Sequence, residues 1–163
     1  MATALHLESS RAIPVKVEAA FDHLLPHPLT ELMSRRYGPL PPIREVRDQA
    51  GTWGEVGQTR TIVLTDGGTM REQLTEVVRP HHFAYRLTDI TGPLRPLVSG
   101  VEGRWAFAPV GTGVLVTWSW VLHPTSGYAA RVLPLVGRLW RGYARQALEE
   151  TSDVLVAGAV SPG

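Results

Sequence analysis

Cysteine is absent from the 163-residue chain. That excludes a disulfide framework, a thiolate nucleophile and a Cys-ligated zinc site. Charge of one sign is lacking too. Sixteen Lys and Arg against fifteen Asp and Glu leave a formal charge of +1, so no overall field draws in nucleic acid or anionic lipid. No apolar run approaches the roughly 18 residues that a membrane span needs. The opening "MATALHLESS" has neither the basic start nor the apolar core of a signal peptide, and the expected location is the cytoplasm. G-x-S-x-G, P-loop and Rossmann fingerprints are missing, as are internal repeats and low-complexity segments. Six histidines are scattered. His81 and His82 lie in a turn with Pro80, without a carboxylate or third histidine at metal-ligand spacing. His6, His23, His27 and His123 read as surface or boundary residues. No metal and no cofactor is expected.

What is present is ordinary for a globular chain: 44% apolar and 19% charged residues. The length suits one domain, residues 1–163, with 158–163 ("GAVSPG") as a flexible tail. Residues 4–13 read as a strand, with Leu5, Leu7 and Ile13 on one parity. "VEAAFDHLL" places Val17, Ala20, Phe21, Leu24 and Leu25 at helical spacing, and Pro26 and Pro28 end that helix. "PLTELMSRR" can form a second short one. From Ile43 the period becomes two. Strands are expected over 43–49, 57–65, 69–79, 82–90, 100–110 and 113–123. Near the C-terminus Val132, Val136, Trp140, Tyr143, Ala147 and Val154 share one helical side. Arg131, Arg138, Arg141 and Arg145 share the opposite one, the expected solvated face. Pro134 predicts a short helical turn before it and a long straight helix after it. One long amphipathic helix and a meander with one apolar face must cover each other. The expected shape is an α+β fold in which a curved sheet wraps the last helix.

Parity selects the inner residues. Arg60, Ile62 and Leu64 share a face, as do Met70, Glu72 and Leu74. The more apolar sets should be buried, which carries Arg60 and Glu72 inside. A three-residue loop Asp66-Gly67-Gly68 pairs Leu64 with Met70, Ile62 with Glu72 and Arg60 with Leu74. Arg60 and Glu72 then become diagonal neighbours. A turn at Gly111-Thr112 sets Trp105 opposite Trp118, Phe107 opposite Val116 and Gly103 opposite Trp120, the glycine leaving room for the larger ring. "VVRPHHF" pairs Val78 with Phe83, Glu76 with Tyr85 and Leu74 with Leu87. The inner surface then holds Tyr85, Trp105, Phe107, Trp118 and Trp120 from the sheet, and Trp140 and Tyr143 from the helix. Large aromatics around a few polar groups describe a small-molecule pocket as well as a core. The Arg60–Glu72 pair fits either a structural register lock or a group that faces a ligand.

Several stretches are similar to those of START/Bet v 1-like (SRPBCC) proteins. "AIPVKVEAAF" (12–21) resembles their strand-to-helix signature. "VGQTRTIVLTDGGTMREQLTEV" (56–77) resembles their G-x-x-R plus E-x-L hairpin. "FAYRLTD", "GRWAF" and "GTGVLVTWSW" resemble the strands that follow. The order of elements agrees over about residues 3–157, and the bacterial polyketide cyclase/dehydrase-like branch is the nearest in character. The resemblance implies a helix-grip fold: a seven-stranded antiparallel sheet around a long C-terminal helix, two small helices closing one end, and a cavity between. It implies ligand contacts at Glu72, Tyr85, Trp105, Trp118, Val136, Trp140 and Ala144. It also implies a gating role for "TGPLRPLVSG" (91–100).

Three functions follow as expectations. The first is a binding protein for a small hydrophobic lipid, polyketide or aromatic molecule. In it Trp105, Phe107, Trp118, Trp120, Trp140 and Tyr143 supply apolar contact, and Arg60, Glu72 and Tyr85 orient a polar group. The second is an aromatase/cyclase or dehydratase that uses Arg60 on an enolate oxygen and Glu72 or Tyr85 to move a proton. The third is an interaction module with a filled interior. A monomer or weak homodimer is expected, with no nucleic-acid partner and no integral membrane contact.

Overall fold

The computed structural model describes residues 3–160. Strand β1 (Leu5–Ile13) is followed by two short helices, α1 (Val17–Leu24) and α2 (Leu29–Leu32). Six strands come next: β2 (Ile43–Arg47), β3 (Thr59–Leu64), β4 (Thr69–Val78), β5 (His82–Thr88), β6 (Val98–Val110) and β7 (Gly113–Pro124). Helix α3 (Gly127–Val160) ends the described chain. The seven strands form one curved antiparallel sheet in the order β1-β7-β6-β5-β4-β3-β2. A meander needs only local turns, and the single long-range step brings β1 against β7. The inner face buries Leu7, Ile62, Leu74, Phe83, Trp118 and Leu122 against Leu133, Trp140, Ala144 and Leu148 of α3. Among the described residues no helix is long and apolar enough to cross a membrane.

The β6–β7 hairpin has the expected register, with Trp105 opposite Trp118, Phe107 opposite Val116 and Gly103 opposite Trp120. The β3–β4 hairpin does not. Its loop is Thr65-Asp66-Gly67, closed by Leu64 N–H donating to Gly68 O (2.8 Å) and Gly67 N–H donating to Leu64 O (3.0 Å). Gly67 takes the left-handed position at φ +87°. The Asp66 carboxylate accepts from Gly68 N–H at 2.7 Å and tightens the turn. The pairing therefore shifts by two residues. Arg60 lies directly opposite Glu72, and Ile62 opposite Met70. A two-residue shift preserves the faces, so both charges remain inside.

The β4–β5 register also differs. Val77, not Val78, pairs with Phe83, and a bulge at Thr75 brings Leu74 opposite Tyr85 and Glu72 opposite Leu87. The bulge inverts parity along β4. Met70, Glu72 and Leu74 point inward before it; after it Val78 is 44% exposed and Glu76 faces solvent.

Helix α3 is continuous through Pro134. That residue is on the exposed side, where the carbonyl it leaves unpaired can bond to water. The helix also continues to Val160, through the first residues of the segment read as a tail; residues 161–163 lie outside the described residues. Its most buried stripe is Leu133, Trp140, Ala144, Leu148 and Leu155, while Val132, Val136 and Val154 are half-buried. The four arginines are exposed.

Candidate functional site

The site begins at the β3–β4 pair. Arg60 Nε donates to Glu72 Oε1, and the residues are 4% and 3% exposed. A pair this dry needs further partners for its remaining polar atoms. Arg60 Nη1 donates to Gln49 Oε1 at 3.2 Å, and its guanidinium lies 3.8 Å over the Trp53 ring. Gln58 holds that ring in place. Its Oε1 accepts from Gly54 and Glu55 N–H, both at 2.7 Å. Its Nε2 donates to Ala50 O (3.1 Å) and Thr52 O (2.9 Å). One side-chain amide thus fastens the loop that lays Trp53 on Arg60. Burial pushes the Glu72 carboxyl above its ordinary range, and the Arg60 charge and hydrogen bond offset only part of that.

Tyr85 stands beside this pair. Its hydroxyl oxygen accepts two hydrogen bonds, from Trp118 Nε1 and Trp120 Nε1, each 2.8 Å. Gly103 makes this possible. It is the cross-strand partner of both Tyr85 and Trp120, and a Cβ built there would overlap the Tyr85 ring. The room beside the glycine, expected to go to the Trp120 ring, is filled by the Tyr85 ring. With both lone pairs engaged, the phenol keeps a proton to donate. Burial, with Glu72 nearby, raises its pKa more than the two indole hydrogen bonds lower it, so that proton stays on.

The rings pack on one another. Trp105 and Trp118 stack at 5.0 Å and 11°, Trp118 meets Trp140 at 5.1 Å, and Trp120 meets Trp140 at 5.5 Å. They divide the interior into small chambers. A deep chamber of about 70 Å³ lies between the polar cluster of Arg60, Glu72 and Tyr85 and the two short helices, which contribute Leu24, Leu29 and Leu32. A middle chamber, also about 70 Å³, is walled by Leu64, Met70, Trp120, Val136, Trp140 and Tyr143. A third, about 200 Å³, lies beneath the loops that carry Pro39–Pro41 and Pro93–Leu97. Met70, Trp120 and Tyr143 wall both of the first two; Leu40, Leu64, Leu94 and Val136 wall both of the last two. Ligand pockets usually hold roughly 300–1,000 Å³. The interior is fuller than an open cavity, and a ligand must displace rings to enter.

Among the described residues, two buried side-chain polar atoms have no hydrogen-bond partner: Trp140 Nε1 and His27 Nε2. His27 Nε2 lies 2.6 Å from Glu31 Oε2 without the alignment of a hydrogen bond. Trp140 walls the middle chamber and His27 the deep one. Tyr143 hydroxyl, by contrast, is engaged: it donates to Pro41 O at 3.1 Å and ties α3 to the loop above it.

Of the residues singled out in the sequence, Arg60, Glu72, Tyr85, Trp105, Trp118, Trp120 and Tyr143 wall the deep chamber. Val136 and Trp140 wall the middle one. Phe107 packs instead against Phe21 and Phe83, and Ala144 is fully buried; neither walls these chambers. Sequence reasoning missed Trp53, Gln49, Gln58 and His27. All four lie outside periodic segments or at their edge, where parity says nothing. The lone tryptophan between glycines in "GTWGEVG" was the available signal.

The family model described as "Polyketide cyclase / dehydrase and lipid transport" matches residues 4–155. No curated protein matches the chain. Among solved structures, a norcoclaurine synthase point mutant of Thalictrum flavum, in complex with a transition-state analogue, superposes with TM-score 0.72 at 14% identity. It covers 96% of this chain and 97% of that one. Ara h 8.0201 gives 0.66 at 11% identity, over 95% and 99%. The protein XoxI of Bacillus cereus gives 0.63 at 19% identity, over 93% and 95%. At these identities the likeness establishes a shared fold.

Proposed function

The chain belongs to the polyketide cyclase / dehydrase and lipid transport family, within the START/Bet v 1-like superfamily, and we propose that it binds a small hydrophobic, ring-containing molecule between the sheet and α3. Proteins of this superfamily commonly bind hydrophobic ligands. One observation carries the reading for this chain: the aromatic-walled chambers share walls from the deep polar cluster to the surface loops, and one wall residue, Trp140, has a buried Nε1 with no partner. Buried donors in a plain core are nearly always paired. Segment 91–97 supplies Thr91, Pro93, Leu94 and Leu97 to the outer chamber, the place for a gate. Tryptophan fluorescence and melting temperature, followed across a library of aromatic and lipid molecules, test this. Saturable quenching with a raised melting temperature is expected. No response from any member contradicts it.

A second reading has one observation in its favour. The Glu72 carboxyl, raised by burial, is a proton donor or acceptor at the chamber wall beside the Tyr85 hydroxyl. In a cyclase or dehydratase, Glu72→Gln abolishes turnover while ligand still binds. Unchanged turnover removes Glu72 from such a mechanism.

A further inference from the structure

We propose that the ligand presents a hydrogen-bond-accepting carbonyl oxygen, as in a ketone, quinone or ester, to the Nε1–H of Trp140 in the middle chamber. This rests on the ligand-binding reading and adds the chemical class of the ligand. Trp140 is 2% exposed and its Nε1 has no acceptor. The two indoles that pack directly on it, Trp118 and Trp120, both spend their N–H on Tyr85. Tyr143 spends its hydroxyl proton on Pro41 O. Of the two tryptophans that wall the middle chamber, Trp140 is therefore the one left with a donor to offer.

The walls say what can accept it. Around Trp140 the middle chamber is Leu40, Pro41, Leu64, Met70, Leu94 and Val136. A bound water needs two to four polar partners to be held, and this wall supplies one free donor. A carbonyl oxygen suits it: the oxygen takes the N–H, and the carbon skeleton meets apolar side chains. A ligand hydroxyl at the same point brings its own proton, which must share Pro41 O or the Tyr143 oxygen, each already in one hydrogen bond. A hydrocarbon leaves the indole N–H unpaired, which is costly in a buried place. The Tyr85 proton, free for the same reason in the deep chamber, favours a second acceptor oxygen at the far end of a longer ligand.

The test is a cycle of two ligands and two proteins, read by isothermal titration. Fluorene and 9-fluorenone have nearly the same shape and differ in one carbonyl. Trp140→Phe keeps an aromatic ring and removes the pyrrole half of the indole with its N–H; the space this opens is common to both ligands. The ratio of fluorenone to fluorene affinity is compared between the two proteins, so that differences in ligand hydration cancel. The proposal expects that ratio to fall about tenfold in Trp140→Phe, the scale of one buried hydrogen bond. A ratio unchanged while both ligands bind overturns the carbonyl assignment and leaves the ligand-binding reading standing. Absence of fluorenone binding to the wild-type protein overturns the carbonyl assignment, and the ligand-binding reading is then decided by the library. A second readout does not depend on the variant's folding. In the wild-type protein the Trp140 indole N–H resonance moves downfield with fluorenone and not with fluorene; equal movement with both contradicts the proposal.

Discussion

At the scale of single residues, a glycine and a tyrosine decide how the rings are arranged. Gly103 leaves the space that the Tyr85 ring fills, and the Tyr85 oxygen then collects two indole N–H groups. Gly103→Ala must push that ring aside and leave the indoles unpaired. It is expected to lower stability by about 1–3 kcal/mol, measured by urea denaturation; unchanged stability contradicts the packing described. Glu72 makes a second prediction. Its folded-state pKa lies above the ordinary 4.5 because burial outweighs Arg60. Between those two values the folded protein holds a proton that the unfolded chain has lost. Stability therefore falls as pH rises from 4.5 through the folded-state value. Glu72→Gln should flatten that fall in denaturation curves taken across weakly acidic pH. An unchanged slope shows that the Arg60 charge, not burial, governs the carboxyl. The inward position of both charges was legible in the sequence because parity is a property of a single strand. The Trp53 ring over Arg60 was not, since a loop held by the Gln58 amide has no periodicity to read.

At the scale of elements, faces were legible and registers only in part. The β6–β7 register followed from its turn, because Gly111-Thr112 permits one tight closure. In β3–β4 two registers two residues apart bury the same side chains, and the hydrophobic pattern cannot choose between them. Adjacent glycines in Asp66-Gly67-Gly68 left the choice open, and the Asp66 bond to Gly68 N–H settles it with Gly67 left-handed. Gly67→Asn is expected to be tolerated better than Gly67→Val, by about 1 kcal/mol in chemical denaturation, since asparagine accepts a left-handed backbone and a β-branched residue does not. Equal effects contradict the loop as described. The Thr75 bulge was invisible for a different reason. Glu76 and Val78 continue the parity of Glu72 and Leu74, and only pairing with β5 shows that the chain skips a residue. Helix α3 carried its arginines on the exposed side as its periodicity indicated. Pro134 did not interrupt it because its missing hydrogen bond falls toward water.

At the scale of the whole molecule, the order of elements was enough to specify a sheet wrapped on a helix, because neither can bury its apolar face alone. How much space remains between them was not legible. That volume is the difference between an enclosed space and the side chains that fill it, and those side chains come from β3 to β7, α1 to α3 and the loops together. The outcome is a partitioned interior in which stacked tryptophans occupy much of what a ligand would use. The central claim is that a ligand enters there and not at the exposed side of α3, where Tyr128 and Leu135 offer apolar surface. Intermolecular nuclear Overhauser effects from bound fluorene to the protein decide it most directly. The account predicts contacts to Met70, Leu94, Trp120 and Val136, the walls of the middle chamber. Saturable binding with contacts confined to Tyr128 and Leu135 would contradict it.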